Sequence, residues 1–222
     1  MAWRSTPRQP QPSEEICFQP KPWQLSSLEL STQGRNLAAA VVGGLVVGTV
    51  LTFVTVDGVP LTLLLLQYNG LVVAGWVWQL ATSIVVAPPT WQGAIDVGFN
   101  AMALLWLDGF FSLTYSRNQY YGVFFLTAIA GNIASLANGP RELSFGASGG
   151  IFGLLAGVIT FDLATNRRLN LALVAWFTVV FVFSSFLFAR VDWLAHAGGA
   201  LVGLALGYAV GVRRRLEEAS SR

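Results

Sequence analysis

Long apolar runs alternate with short polar breaks along the chain, and the lengths of those runs carry the first inference. Six dominate, at 37–56, 94–111, 120–138, 146–164, 169–188 and 193–212. At 1.5 Å of helix rise per residue, each reaches roughly across the 30 Å of a hydrocarbon core. The pattern predicts an all-α fold, a polytopic membrane bundle of six transmembrane helices. A seventh run, 71–87, is shorter, contains Trp76, Trp78, Gln79 and Ser83, and ends at Pro88-Pro89. Residues 57–93 therefore read as a long outer loop whose apolar stretches, 61–66 and 71–87, form interfacial helices. Trp76, Trp78 and Trp91 suit that level, because indole joins an apolar body to one polar group. A tilted extra span is the alternative for 71–87.

Charge decides between the two counts. Cytosolic loops of membrane proteins collect Lys and Arg. With six spans and a cytosolic N-terminus, Arg4, Arg8, Lys21, Arg35, Arg117, Arg167, Arg168, Arg213, Arg214, Arg215 and Arg222 lie inside, and only Arg141 and Arg190 outside: 11 against 2. A seventh span at 71–87 gives at best 7 against 6. The expectation is a multi-pass protein of the cell membrane with both termini cytosolic. Residues 1–36, rich in Pro, Ser and Gln, read as a flexible cytosolic tail. Residues 37–212 form the six-helix domain, and 213–222 a short basic cytosolic tail. No charged n-region followed by a short apolar stretch opens the chain, so the first span is expected to direct insertion.

Composition narrows the chemistry. The chain is 54% hydrophobic and 11% charged, with a mean hydropathy of +0.59, against about 25% charged in an ordinary soluble domain. The lipid bilayer is one partner. A net charge of +2 argues against nucleic acid. A single cysteine, Cys17, excludes an internal disulfide, and no zinc or haem spacing is present, so neither metal nor cofactor is expected.

Polar groups in hydrocarbon are costly and tend to face a cavity or a partner helix. The only histidine, His196, sits near the start of the last span, and Ser148 sits in the first turn of the fourth. Both spans start from outer loops, so the two side chains share a shallow depth on one side. Gly149, Gly153 and Gly157 recur at intervals of four, as do Gly199, Gly203, Gly207 and Gly211. Such strips let helix backbones approach closely. If the strips face each other, Ser148 and His196 become neighbours, and a serine hydroxyl beside an imidazole is the pairing that activates a nucleophile. Taken singly, Ser148 also reads as a helix cap and His196 as a polar group at the interface.

Gly146-Ala147-Ser148-Gly149 fits a GxSx motif, His196 is followed by Gly199 and Gly203, and Phe99-Asn100 opens the second span. In these features and in their order, 37–212 resembles the rhomboid intramembrane serine proteases. The resemblance implies a Ser–His dyad, with Ser148 as nucleophile, His196 as base, and Asn100 with the Ser148 backbone N–H binding the oxyanion. It also implies that Phe152 packs on the histidine and that the substrates are transmembrane proteins, cut in or near their helices. Three departures stand out. Asp96 occupies the position of a usual histidine four residues before Asn100, Trp78-Gln79 stands for a Trp-Arg pair, and no acidic residue follows the second span within 111–117. A catalytically weak or inactive relative that binds transmembrane helices and guides their degradation or trafficking is the alternative. Asp192 precedes His196 by one helical turn and is expected to cap the helix, where the dipole favours an anion.

Overall fold

The computed structural model describes residues 31–186 and 191–221. Almost all of the expected N-terminal tail lies outside the described residues. The described chain is mostly helical, in the order α1 (Thr32–Thr52), α2 (Leu61–Leu65), α3 (Asn69–Val73), α4 (Gln79–Thr82), α5 (Trp91–Trp106), α6 (Asp108–Thr114), α7 (Arg117–Ser135), α8 (Ser148–Asn166), α9 (Leu171–Phe186) and α10 (Trp193–Ser220). Four two-residue strands, β1 (Thr55–Val56), β2 (Val59–Pro60), β3 (Gln67–Tyr68) and β4 (Leu143–Ser144), pair antiparallel as β1–β2 and β3–β4.

By length and composition α1, α7, α8 and α10 can each cross a membrane. The α5–α6 pair, bent by 52°, makes a fifth span if taken as one. The run 169–188 corresponds to α9, an apolar helix of 16 residues. The seventh candidate, 71–87, is not one helix, because turns separate α3 from α4.

Helix α1 begins at Thr32, ahead of the first apolar residue, for a tertiary reason. The buried carboxylate of Asp108, at the α5–α6 break, accepts hydrogen bonds from the N–H of Ser31, from Ser31 Oγ at 2.6 Å and from the N–H of Gly34 at 3.1 Å. An acid far along the chain thus takes up donors that a helix start leaves without partners.

Helix α8 is the centre of the bundle, with 11 of its 19 residues buried. Its glycine strip meets that of α10 in register. A methyl on Gly199, Gly203 or Gly207 would fall inside the contact distance of the carbonyl oxygen of Gly149, Gly153 or Gly157, respectively. Between these strips the two backbones touch. Thr160 Oγ1 adds a 2.6 Å hydrogen bond to the Leu204 carbonyl, and Tyr115 OH reaches the Leu154 carbonyl at 3.2 Å.

The segment 57–93 is fastened to this bundle by buried amides. Gln67 Nε2 donates to the Asn132 carbonyl at 2.8 Å, and Asn69 Nδ2 to the Ser135 carbonyl at 2.8 Å. Asn132 Nδ2 returns bonds to the Leu80 carbonyl and Ser83 Oγ at 2.8 and 3.1 Å. Gln79, in the Trp-Gln pair, is buried; its Oε1 accepts from the Tyr68 N–H at 3.0 Å. The β3–β4 pairing and a 2.9 Å bond from the Gly146 N–H to the Ser83 carbonyl then join this segment to the chain leading into Ser148.

Candidate functional site

The turn before α8 sets the position of Ser148. Gly146 has φ +111°, a left-handed conformation that glycine adopts at little cost. A side chain there would also meet Asp96 Oδ2, 2.5 Å from where its Cβ would lie. Helix α8 starts directly afterwards at Ser148, which is half-buried.

His196 is brought to the same level by a three-helix contact. The Ala195 carbonyl fits against Gly131 of α7, where no methyl has room, and lies 3.2 Å from where a Cβ of Gly149 would be. Ser148 and His196 thus adjoin residues whose backbones touch, and the structure brings their two helix starts together. Among the described residues, no hydrogen bond joins Ser148 Oγ to the imidazole.

The imidazole is buried, 4% exposed. Phe152, one turn after Ser148, lies with its ring centroid 4.4 Å from that of His196, and Phe181 of α9 approaches edge-on at 6.3 Å. A 2.8 Å hydrogen bond joins Nδ1 to Ser185 Oγ of α9. Nothing in the sequence reading singled out Ser185. Its one signal is that Ser184-Ser185 interrupts a helix whose only other polar side chain is Thr178.

Asp192 does cap α10, as expected. Its Oδ1 accepts from the Ala195 N–H at 3.0 Å and from Asn138 Nδ2 at 2.8 Å, and its Oδ2 from Ser144 Oγ at 2.8 Å. One carboxylate thus joins the 3-10 turn after α7, strand β4 before Ser148, and the start of α10. Its hydrogen bonds go to these donors, and none joins it to the imidazole.

Asn100 is buried on α5, and its Nδ2 donates to Asp96 Oδ2 at 2.7 Å. Through Asp96 it reaches Gly146, two residues before Ser148. One amide hydrogen is therefore already committed to a carboxylate that faces the Ser148 turn. No group of three or more metal-ligating side chains occurs among the described residues.

A hydroxyl, an imidazole and a primary amide at one end of a helix bundle are parts from which acyl-transfer sites are assembled. Residues 74–213 match the family model of the Rhomboid domain. No curated protein matches the sequence significantly. The match spans more than half of the chain and takes in the glycine strips, the Ser148 turn and His196, so this multi-pass membrane protein belongs to the rhomboid family.

Proposed function

We propose that the protein is an intramembrane serine endopeptidase that hydrolyses peptide bonds in or near the transmembrane helices of other membrane proteins. One observation carries this reading. The glycine-mediated contact of α8 and α10 sets the start of one helix, with the chain's only histidine, beside the start of the other, with Ser148. In the working protein six spans cross the bilayer, α5–α6 and α9 included. Both termini are cytosolic and the helices of 57–93 lie in the outer interface.

Ser148 Oγ attacks the scissile carbonyl while His196 takes its proton. The tetrahedral oxyanion is held by Asn100 and the Ser148 N–H, and one such donor is worth about 3 kcal/mol of barrier. Collapse of that intermediate expels the amine, which leaves with the proton from His196. Water, deprotonated by the same imidazole, then attacks the acyl-enzyme and releases the second fragment, restoring Ser148. Catalytic hydrogen bonds are often long or misaligned without substrate and tighten when it binds. The open Ser148–His196 pair is compatible with that behaviour.

A second reading has its own observation. The Asp96 carboxyl group holds the Asn100 amide, and in its ionised form it sets a negative charge beside a developing oxyanion, which opposes the chemistry. That favours a weak or silent relative that binds transmembrane helices without cutting them. Labelling of the purified protein with a fluorophosphonate separates the two readings. The protease labels on Ser148, and Ser148→Ala and His196→Ala each abolish both labelling and cleavage of a transmembrane reporter while the protein stays folded. Absence of label on the wild type in lipid overturns the protease reading.

A further inference from the structure

Helix α9 is the least buried of the long helices, with half of its 16 residues exposed and seven more only partly buried. Among its described residues, the only one buried is Ser185. An apolar helix that buries a single residue would ordinarily bury a large aliphatic one. Here the buried residue is a serine, 4% exposed, and its hydroxyl makes the imidazole's one hydrogen bond among the described residues, at 2.8 Å from Nδ1. Its neighbour Ser184 behaves as serines in apolar helices usually do. It turns back on its own helix, donating to the Val180 carbonyl at 2.8 Å. Ser185 turns instead across to another helix.

The two ring nitrogens of a neutral histidine are not equivalent, and the partner of one fixes the role of the other. A base that takes a proton through Nε2 needs its hydrogen on Nδ1, and that hydrogen needs an acceptor. Among the described residues no carboxylate is hydrogen-bonded to the ring; Asp192 bonds to Ala195, Asn138 and Ser144. We propose that Ser185 is a positioning residue whose Oγ accepts the Nδ1–H of His196, holding the ring in the tautomer with a free lone pair on Nε2. Resting on the protease reading for its catalytic meaning, this places a neutral hydroxyl where serine hydrolases of the triad type carry an acid. The hydroxyl also keeps accepting from Nδ1–H once Nε2 is protonated, so the ring need not turn during the reaction.

His196 is the only histidine, so full-length protein labelled with ¹⁵N-histidine, and purified without a histidine tag, gives one imidazole to observe. In lipid at a pH where the ring is neutral, the wild type and Ser185→Thr show Nδ1 protonated and Nε2 bare. Ser185→Ala retains the packed Cβ and shifts the population toward Nε2–H. Fluorophosphonate labelling of Ser148 slows by about 10- to 100-fold in Ser185→Ala and recovers in Ser185→Thr. A wild type with its proton on Nε2, or a tautomer unaltered in Ser185→Ala, overturns the proposal. Because the tautomer is read without turnover, a wild type that carries Nδ1–H yet never labels overturns the protease reading and leaves this hydrogen bond standing.

Discussion

The α8–α10 contact can be tested by adding one methyl group. In Gly199→Ala the new Cβ lands against the Gly149 carbonyl oxygen, about 1 Å closer than such atoms approach. The obstacle is backbone, which cannot rotate away as a side chain would, so the helices must separate or slide. Overpacking of this kind costs about 1–3 kcal/mol, while alanine recovers about 1 kcal/mol of helix propensity over glycine. The net loss of stability is then about 0–2 kcal/mol, modest for a folded bundle. Geometry is the more sensitive quantity, since a 1 Å misplacement of reacting groups can cost about 100-fold in rate. Thermal unfolding in detergent and fluorophosphonate labelling read the two effects separately. Gly199→Ala should lower the midpoint by a few degrees and slow labelling by about 100-fold. Gly207→Ala meets the Gly157 carbonyl in the same way two turns further on. It should lose similar stability but much less labelling. Gly122→Ala, with nothing within 4 Å of its Cβ, is the neutral control. Equal labelling losses at Gly199 and Gly207, or full activity in Gly199→Ala, would refute the claim that these glycines set the Ser148–His196 geometry.

Two further outcomes follow from the carboxylates. Asp96→His removes the acceptor that holds Asn100 Nδ2 and should raise turnover of a transmembrane reporter by about tenfold, a fraction of the roughly 100- to 1,000-fold that one oxyanion donor is worth; unchanged or lower turnover counts against the inhibitory role of Asp96. Asp192→Ala deletes the α10 cap together with the bonds to Asn138 and Ser144. The loss of about 1–2 kcal/mol for a cap should appear as a midpoint lower by roughly 2–8 °C, and an unaltered midpoint would mean that the bridge contributes nothing.

The features legible in the sequence are those written at short range. Run lengths gave away α1, α7, α8 and α10, the helices long and apolar enough to cross a membrane, because hydrocarbon thickness constrains composition directly. The glycine strips were visible because their period of four is a property of one helix at a time. The Asp192 cap follows from a three-residue spacing. Hidden were the contacts between residues distant along the chain. The start of α1 depends on Asp108, 77 residues after Ser31. The bend at Leu107–Asp108 interrupts a run that reads as continuous. Ser185 meets His196 across the segment joining α9 to α10, with nothing in either run to announce the pairing.

The segment 57–93 shows what a polar residue in an apolar stretch does and does not reveal. Read as sequence, it is a long outer loop whose apolar stretches lie in the interface. In the fold, Gln67, Asn69, Gln79 and Ser83 are all buried and each has a partner in α7, in the Ser148 turn or within the segment. An unsatisfied amide in such surroundings costs several kcal/mol, so each of these residues calls for a partner, and among their buried side-chain polar atoms Gln67 Oε1 is the exception that has none. The sequence does not say which partner, because every candidate carbonyl is chemically alike and only the folded geometry selects one. Their joint effect is to hold the Ser83 carbonyl against the Gly146 N–H, and hence the turn from which Ser148 projects. The segment is thereby part of the scaffold of the site, and its polar residues serve the position of Ser148 from as far as 81 residues away.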